Sequence, residues 1–318
     1  MSEVALDFTE SEIQVMLDNL DDYTQDEVLE IDKLVDELDT RKKSKLAYDD
    51  LIEFCKAMMP EFIVGKHHRI LANMLMAIEK GEKDRVCVNI PPRHGKSQLV
   101  SIFYPAWYLG RNPNKKVMMV SHTTDLAVDF GRKVRNLIGV DAYKSVFPTV
   151  SLASDSKSAG RWNTSVGGEY YACGVGSALA GRGADLLLVD DPHSEQDVIN
   201  GNFSVFDKAY EWYTFGARTR LMPGGRVAII QTRWHMDDLT GRVVRDMGQN
   251  ERADSFEVIE FPAILETSDK ETGKPIQKPL WPEFFDLEAL LRTKASMPVF
   301  QWNAQYQQEP TAEEAAII

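Results

Sequence analysis

The sequence predicts an α/β protein built around a mostly parallel, doubly wound sheet that is flanked by helices. Six short apolar runs have the length and composition of strands, and four helical patterns alternate with them. The predicted strands are 86–90, 117–121, 169–173, 186–190, 226–231 and 256–261, and the predicted helices lie near 97–109, 124–138, 202–221 and 236–248. Because strands that alternate with helices run parallel, their carboxyl ends should meet at one edge of the sheet, where such folds bind ligands.

The first predicted strand leads directly into a loop with the residues of a phosphate-binding P-loop. The run 86–90 is followed by Pro-Pro-Arg-His-Gly-Lys-Ser at 91–97 and then by a helical pattern. In a P-loop, backbone N–H groups and the helix N-terminus cradle a polyphosphate, the Lys reaches the β- and γ-phosphates, and the Ser hydroxyl ligates Mg²⁺. The predicted nucleotide-binding residues of this loop are Pro92, Arg93, His94, Gly95, Lys96, Ser97 and Gln98. Ile90 occupies the position of the first glycine of the full pattern, so an ordinary strand-loop-helix turn remains the alternative.

A later strand ends in two carboxylates of the kind that an ATPase requires. Leu186–Val189 are continuously apolar, as in a strand buried on both faces, and Asp190 and Asp191 follow. We predict that Asp190 holds Mg²⁺ together with Ser97, and that Asp191 orients and deprotonates the attacking water. A solvated turn after a core strand is the alternative.

The predicted strand 226–231 also ends in polar residues. Gln231 and Thr232 stand where a strand-end side chain of a P-loop motor can sense the γ-phosphate and relay its loss. We therefore predict that both couple hydrolysis to movement. Plain polar residues at a strand end are the alternative.

Taken together, these motifs resemble those of a known family, the large terminase subunits of tailed bacteriophages. The resembling segments are 91–97, 181–193, 231–239 and 300–310, and the resemblance runs from about Asp50 to Pro310. Members of the family are DNA-translocating ATPases of the ASCE class of P-loop proteins, which pump the viral genome through a portal into a procapsid. The resemblance implies ATP and Mg²⁺ as cofactors, and double-stranded DNA, the portal protein of the procapsid and the small terminase subunit as partners. It also implies a ring-shaped homo-oligomer when docked or a monomer in isolation, located in the host cell cytoplasm without a membrane partner.

Two features depart from the family pattern. The family usually carries Asp-Glu where this chain carries Asp190-Asp191, so the shorter Asp191 must reach the catalytic water with one methylene fewer. Members also usually continue into an RNase H-like nuclease domain, whereas this chain ends at Ile318. We expect a motor domain over 48–298, a linker over 299–318 toward an absent C-terminal nuclease domain, and no nuclease activity.

The resemblance also suggests two catalytic arginines. Arg93 lies in the phosphate loop, where the family carries a basic residue that can approach the γ-phosphate. Arg182 resembles a finger that reaches into a neighbouring subunit of a ring, and such an arginine can contribute several orders of magnitude in rate. A solvated or structural arginine is the alternative for each.

The segment before the first strand contacts adenine in the family. Phe62, His67 and His68 are the positions of this chain that fall there, and His68 is assigned to nucleotide binding. Aromatic residues that simply pack in the core are the alternative.

The charge of the chain is unevenly distributed. The net charge is −13, but the first 50 residues hold 16 acidic and 5 basic residues, so the rest of the chain has a net charge of only −2. Apolar residues at helical spacing over 8–45 predict one or two amphipathic helices, and we expect an acidic helical appendage over 1–47. The nearly neutral body argues against a broad basic surface that clamps DNA. It permits weak contacts with the DNA backbone from local basic clusters such as 132–135 and 218–220, and solvated helix faces are the alternative.

Two other functions remain open on these residues. A helicase-like DNA-dependent ATPase would share the same nucleotide site, whereas a non-hydrolysing nucleotide-binding scaffold would keep only its shape. The Asp191 departure is the feature that favours the scaffold. Assays of strand displacement and of phosphate release separate the two from a packaging motor.

Overall fold

The centre of the molecule is a seven-stranded sheet, seen in a computed structural model that describes residues 8–311 except 157, 269–272 and 274. Its strands are β1 (Arg85–Asn89), β2 (Lys116–Ser121), β3 (Arg161–Asn163), β4 (Glu169–Gly174), β5 (Ala184–Asp190), β6 (Leu221–Gln231) and β7 (Glu257–Glu260). They lie in the order β3-β4-β2-β5-β6-β1-β7, and every neighbouring pair is parallel except β3–β4. The predicted mostly parallel α/β fold is confirmed.

Twelve α-helices accompany this sheet in the described residues, and several of them cover its two faces. They are α1 (Glu10–Asp18), α2 (Gln25–Asp49), α3 (Leu51–Met58), α4 (Lys66–Lys80), α5 (Tyr104–Arg111), α6 (Thr124–Ile138), α7 (Asp141–Val146), α8 (Glu195–Ile199), α9 (Ser204–Glu211), α10 (Leu239–Gln249), α11 (Leu287–Ala295) and α12 (Val299–Gln305). Side chains that alternate along β1 point to opposite faces of the sheet and belong to two hydrophobic cores. Val86 and Val88 lie in a core with α3–α6, whereas Cys87 lies in a second core with α10. Burial on both faces explains why the strands are continuously apolar. Within the described part of the chain, no helix combines the length and the apolar character that a membrane span needs.

The first two of these helices, α1 and α2, lie where the apolar spacing over 8–45 predicts them. They begin at Thr9 and Thr24, and each Thr forms a capping box with the Glu three residues later. The second helix, α2, continues to Asp49, and Nε1–H of Trp107 donates to the carbonyl of Ala47 at 3.1 Å. The predicted boundary at residue 47 therefore falls inside a helix that is tied to the body, and the division into domains stays a prediction.

All six predicted strands are present, with ends shifted by at most five residues. The patterns do not predict β3, nor the separate antiparallel pair of β8 (Ile264–Ser268) and β9 (Pro275–Pro279). The prolines at 275, 279 and 282 predict an exposed loop over 266–282, and this prediction is wrong where β8 and β9 pair. Pro275 and Pro279 make β9 hard to predict from the sequence, because Pro disfavours a central strand although the edge of a two-stranded ribbon tolerates it.

Two of the predicted helices are irregular. Residues 98–103 form a π-helix before α5 begins, and the predicted helix 202–221 consists of α9, a π-helical segment at 212–217 and a 3₁₀ turn at 218–220. Apolar periodicity does not distinguish an α-helix from these variants. Because π-helical turns often occur at functional sites, the segment 98–103 beside the predicted phosphate loop is notable.

Candidate nucleotide-binding site

The loop after β1 reverses direction through two residues with left-handed backbone. Arg93 has φ +62° and Gly95 has φ +76°. This conformation is uncommon for a residue with a side chain, and a Cβ at position 95 would also collide with the imidazole of His68. The helical segment begins at Lys96, so its first N–H groups have no partner within the helix and can bind an anion.

Two histidines hold this loop from the core side. Nε2 of His67 and Nε2 of His68 each lie 3.0 Å from the carbonyl oxygen of His94, which can only accept, so both nitrogens donate. Nδ1 of His68 accepts the N–H of Gly65 at 2.9 Å, which fixes the same tautomer. The side chain of His94 is buried as well, and its Nδ1 donates to the carbonyl of Pro92 at 2.8 Å. We call His67 and His68 the histidine clamp.

Burial keeps these imidazoles neutral. It lowers the pKa of His67, His68 and His94 to about 4, and burial is the largest cause in each case. Neutral rings retain one donor and one acceptor nitrogen each. At neutral pH Nδ1 of His68 therefore accepts the N–H of Gly65, and protonation in acid removes that bond while the two Nε2–H donors remain.

The side chain of Lys96 reaches across to the carboxylates that follow β5. Its Nζ lies 2.7 Å from Oδ2 of Asp191, and the other oxygen of Asp191, Oδ1, accepts the N–H of Thr232 at 2.9 Å. Burial by itself lowers the pKa of Lys96, but the carboxylates of Asp191 and Asp190 outweigh it and the pKa is raised. Asp191 has left-handed backbone with φ +44°, which places its side chain away from the strand axis. Both of its oxygens are thus engaged.

Asp190 is buried beside this ion pair and keeps one oxygen without a partner. Oδ2 accepts a hydrogen bond from Ser101 at 2.6 Å, whereas Oδ1 is buried and has no partner among the described residues. Burial, followed by the charge of Asp191, raises the pKa of Asp190 to about 6. A buried carboxylate oxygen that accepts no hydrogen bond costs folding free energy unless a cation or a hydrogen-bond donor binds it. Asp190 and the nearby hydroxyl of Ser97 therefore fit a Mg²⁺ ion, whose preferred ligands are oxygens.

The end of β6 lies between the loop that follows β1 and the carboxylates that follow β5, because β6 separates these two strands. The hydroxyl of Thr232 donates to the carbonyl of Ile90 at 3.2 Å, while its N–H holds Asp191. The amide of Gln231 is buried, and neither its nitrogen nor its oxygen has a partner among the described residues. The structure thus brings Thr232 into contact with the site. The coupling roles of Gln231 and Thr232 stay predictions.

The two predicted catalytic arginines lie in different places. Arg93 is an exposed residue of the loop and makes no hydrogen bond or ion pair with the described part of the chain. Arg182 precedes β5, so the length of that strand, roughly 20 Å, separates it from Asp190. Its guanidinium lies 4.3 Å from the ring centroid of Tyr171 and pairs with Glu169 at 3.4 Å. Within one chain Arg182 is remote from the site, and a role in trans stays a prediction.

A cavity of about 620 Å³ opens beside the loop, within the size range of small-molecule sites. Its lining comprises Pro92, Arg93 and Gly95–Gln98 from the loop, Met59 and Glu61–Ile63 from the segment before α4, and Trp281, Phe284 and Phe285. His68 contacts the backbone of the loop and is not part of this lining. Its predicted contact with nucleotide therefore stays a prediction, and the structure gives it a positioning contact.

Sequence reasoning missed two parts of this site. Ser101 lies four residues after Ser97, and that spacing, which places both hydroxyls on one side of a helix, was a usable signal. The aromatic segment 281–285 lies far along the chain from the loop, and only its density of aromatic residues set it apart. We call Trp281, Phe284 and Phe285 the aromatic shelf.

A buried polar network leads from the end of β6 toward the C-terminal segment. Nε of Arg233 donates to Oδ2 of Asp238 at 2.8 Å, and the N–H of Arg233 donates to Oε1 of Gln308 at 3.2 Å. Gln308 is buried and has left-handed backbone with φ +62°. The segment 300–310 is thereby joined to the residue that follows Thr232.

Solved structures of phage large terminases are similar in fold to this chain. No protein-family model matches the sequence, and no curated protein matches it. The fold is similar to that of phage large-terminase ATPase domains. The large terminase of bacteriophage HK97 is 13% identical with a TM-score of 0.48, over 79% of this chain and 52% of that one. The ATPase domain of the large terminase of Thermus phage P74-26 is 16% identical with a TM-score of 0.46, over 74% of this chain and 92% of that one.

A third similar structure is the large terminase of a thermophilic bacteriophage, solved in complex with ADP. It is 9% identical with a TM-score of 0.41, over 70% of this chain and 49% of that one. This chain therefore spans about half the length of the HK97 protein and of this third protein.

Proposed function

We propose that this chain is the ATP-hydrolysing motor domain of a phage large terminase, which drives double-stranded DNA into a procapsid. The observation that carries the ATPase part is the contact between Lys96 and Asp191 beside an unpartnered oxygen of Asp190. A phosphate-loop lysine, a buried carboxylate and a second carboxylate on the neighbouring loop are the groups that ATP hydrolysis needs. They converge here from two strands at the carboxyl edge of the sheet.

Nucleotide binding in this proposal begins with an exchange of partners. The N–H groups at the start of the helix and the helix dipole hold the phosphates, and Lys96 leaves Asp191 to contact the β- and γ-phosphates. The exposed Arg93, which belongs to the loop and lines the cavity, adds a second positive charge for the phosphates. The histidine clamp keeps the loop in shape while these charges change.

Mg²⁺ would be held by Ser97 and Asp190. When bound, this ion would neutralise phosphate charge and orient the leaving group. The protein's own contribution is the buried carboxylate of Asp190 with the hydroxyl of Ser97 beside it.

Asp191 then acts as the general base. Once Lys96 has moved, Oδ2 of Asp191 is available to accept a proton from water, while the N–H of Thr232 keeps Oδ1 in place. The water oxygen bonds to the γ-phosphorus, the bond to the β–γ bridging oxygen breaks, and ADP and phosphate are released. Loss of the γ-phosphate lets Lys96 return to Asp191.

The DNA-translocating part of the proposal is supported by the motifs over 91–97, 181–193, 231–239 and 300–310. The local basic clusters do not add a ready DNA surface, because Asp129 pairs with Arg132 and Lys133, and Asp254 pairs with Arg218. The partners of this proposal are double-stranded DNA, the portal of the procapsid and the small terminase subunit. In the host cytoplasm the chain forms a homo-oligomeric ring when it is docked at the portal, and it is a monomer in isolation.

A paired assay tests this function. Purified chain with Mg–ATP is given a duplex that carries a bound triplex-forming strand, and separately a forked duplex. A packaging motor displaces the third strand and leaves the fork paired. A helicase-like ATPase separates the fork, and a scaffold does neither. The Lys96→Ala variant serves as the inactive control in each arm.

A further inference from the structure

The cavity beside the loop has two chemically different kinds of lining. The loop supplies the cations of Arg93 and Lys96 and the hydroxyl of Ser97, which suit phosphates. The aromatic shelf, together with Met59 and Ile63, supplies apolar surface that suits a planar group. A ligand that uses both kinds of lining must join a polyphosphate to such a group.

Phe284 presents an aromatic surface that the protein itself leaves uncovered. Its ring stacks on Trp281 with centroids 4.5 Å apart and an interplanar angle of 17°, and yet 53% of the side chain is exposed. One face of the ring is therefore supported from within while much of the ring remains accessible. An accessible aromatic face is the surface on which nucleobases stack.

The shelf is attached to the phosphate loop rather than to a separate surface. Trp281 packs edge-on against His68 with centroids 4.7 Å apart, and Phe285 stacks on His94 with centroids 5.0 Å apart. His68 and His94 are the two ends of a hydrogen bond of the histidine clamp. The aromatic shelf is thus packed against the residues that hold the phosphate loop, and Phe284 lies next to them.

We propose that the aromatic shelf is the nucleobase subsite of this chain, that Phe284 stacks on the base, and that the base is a purine. This inference rests on the proposed function, in which the loop holds a triphosphate. A purine covers more of an aromatic ring than a pyrimidine does and so gains more from stacking. Glu61, which also lines the cavity, is exposed and has only acceptors, which favours a base with an amino group such as adenine.

Calorimetric titrations of the full chain with Mg–ATP, Mg–CTP and magnesium tripolyphosphate test this subsite. Phe284→Ala should weaken Mg–ATP about tenfold, the usual effect of one stacking ring, and should reduce the preference for ATP over CTP. Tripolyphosphate has no base, so its affinity should not change. Phe284→Trp should retain ATP binding, because it restores a planar face.

Matched variants separate the possible failures. Phe215→Ala removes a phenylalanine that is 80% exposed and outside the cavity, so it should leave all three affinities unchanged. Lys96→Ala should weaken both ATP and tripolyphosphate, and if it affects neither, the proposed function fails. If Lys96→Ala behaves as expected while Phe284→Ala leaves ATP affinity unchanged, or weakens tripolyphosphate equally, the subsite is overturned and the proposed function stands.

Discussion

The ammonium of Lys96 lies 2.7 Å from the carboxylate of Asp191, although the loop after β1 supplies one group and the end of β5 the other. The two groups that the proposed reaction uses are therefore in contact with each other. Because the phosphates compete with Asp191 for the same ammonium, binding of ATP should release the carboxylate for the attacking water. The pair thus links occupancy of the loop to the availability of the base.

Removal of the lysine charge should abolish hydrolysis. We expect Lys96→Ala to lower the rate of phosphate release by more than about a hundredfold, because the β- and γ-phosphates lose their main point charge. Lys115→Ala is the matched control, since Lys115 is an exposed lysine that pairs with Asp185 away from the loop. Wild-type turnover in Lys96→Ala would remove the basis of the P-loop assignment.

Substitution of the proposed base should separate binding from chemistry. Asp191→Asn keeps the size of the side chain, tolerates the left-handed backbone and retains an oxygen for the N–H of Thr232. Mg–ATP should bind at least as tightly as to the wild type, because the carboxylate that competes for Lys96 is gone, whereas turnover should fall by about a hundredfold or more. Asp191→Glu should remain active. Normal turnover in Asp191→Asn would transfer the role to another carboxylate, with Glu195 the first to test.

The raised pKa of Asp190 predicts a pH-dependent stability difference. Its carboxyl has a pKa of about 6 in the folded chain against 3.8 ordinarily, so folding favours the neutral form. That contribution is fully present below pH 4 and is lost as the pH rises through 6. Asp190→Asn, which is always neutral, should therefore have a higher Tm than wild type at pH 7.5, and the difference should shrink toward zero near pH 4. A constant difference across this range would contradict the assignment.

The histidine clamp predicts a second, opposite dependence on pH. His68 has a pKa of about 4 in the folded chain and 6.5 ordinarily, so its contribution to stability is full above pH 6.5 and is lost as the pH falls through 4. His68→Leu should unfold about 1–3 kcal/mol more easily at pH 7.5, because the carbonyl of His94 loses a donor. It should also lose less stability than wild type between pH 6.5 and 4. Denaturant unfolding at both pH values measures each effect.

The strands and the chemical groups of the site could be predicted from the sequence, because a buried parallel strand is continuously apolar and polar residues mark its carboxyl end. Lys96, Asp190 and Asp191 were found in this way. The partner of Asp190 and the aromatic shelf could not be read so directly, since they depend on which helix turn and which distant segment pack beside the loop. His68 illustrates the limit, because its position before β1 indicates nearness to the nucleotide but not that its ring binds the loop backbone.

The position of Arg182 predicts that any role in catalysis needs a second subunit. It lies at the amino end of β5, remote from the site of its own chain, and pairs with Glu169. If it acts in trans, specific activity should rise with protein concentration or on docking to procapsids with DNA, and a mixture of Arg182→Ala and Lys96→Ala subunits should regain activity. Activity that is independent of concentration, with no rescue on mixing, would leave Arg93 as the catalytic arginine.

The most direct test of the account is the release of phosphate from Mg–ATP by the purified chain, measured with and without double-stranded DNA over a range of protein concentrations. Wild type, Lys96→Ala and Asp191→Asn are compared in parallel, together with ATP binding to each. We predict release by the wild type that DNA accelerates, none above background in the two variants, and retained ATP binding in Asp191→Asn. Release by the wild type that equals that of Lys96→Ala under every condition would contradict the account and leave a nucleotide-binding scaffold.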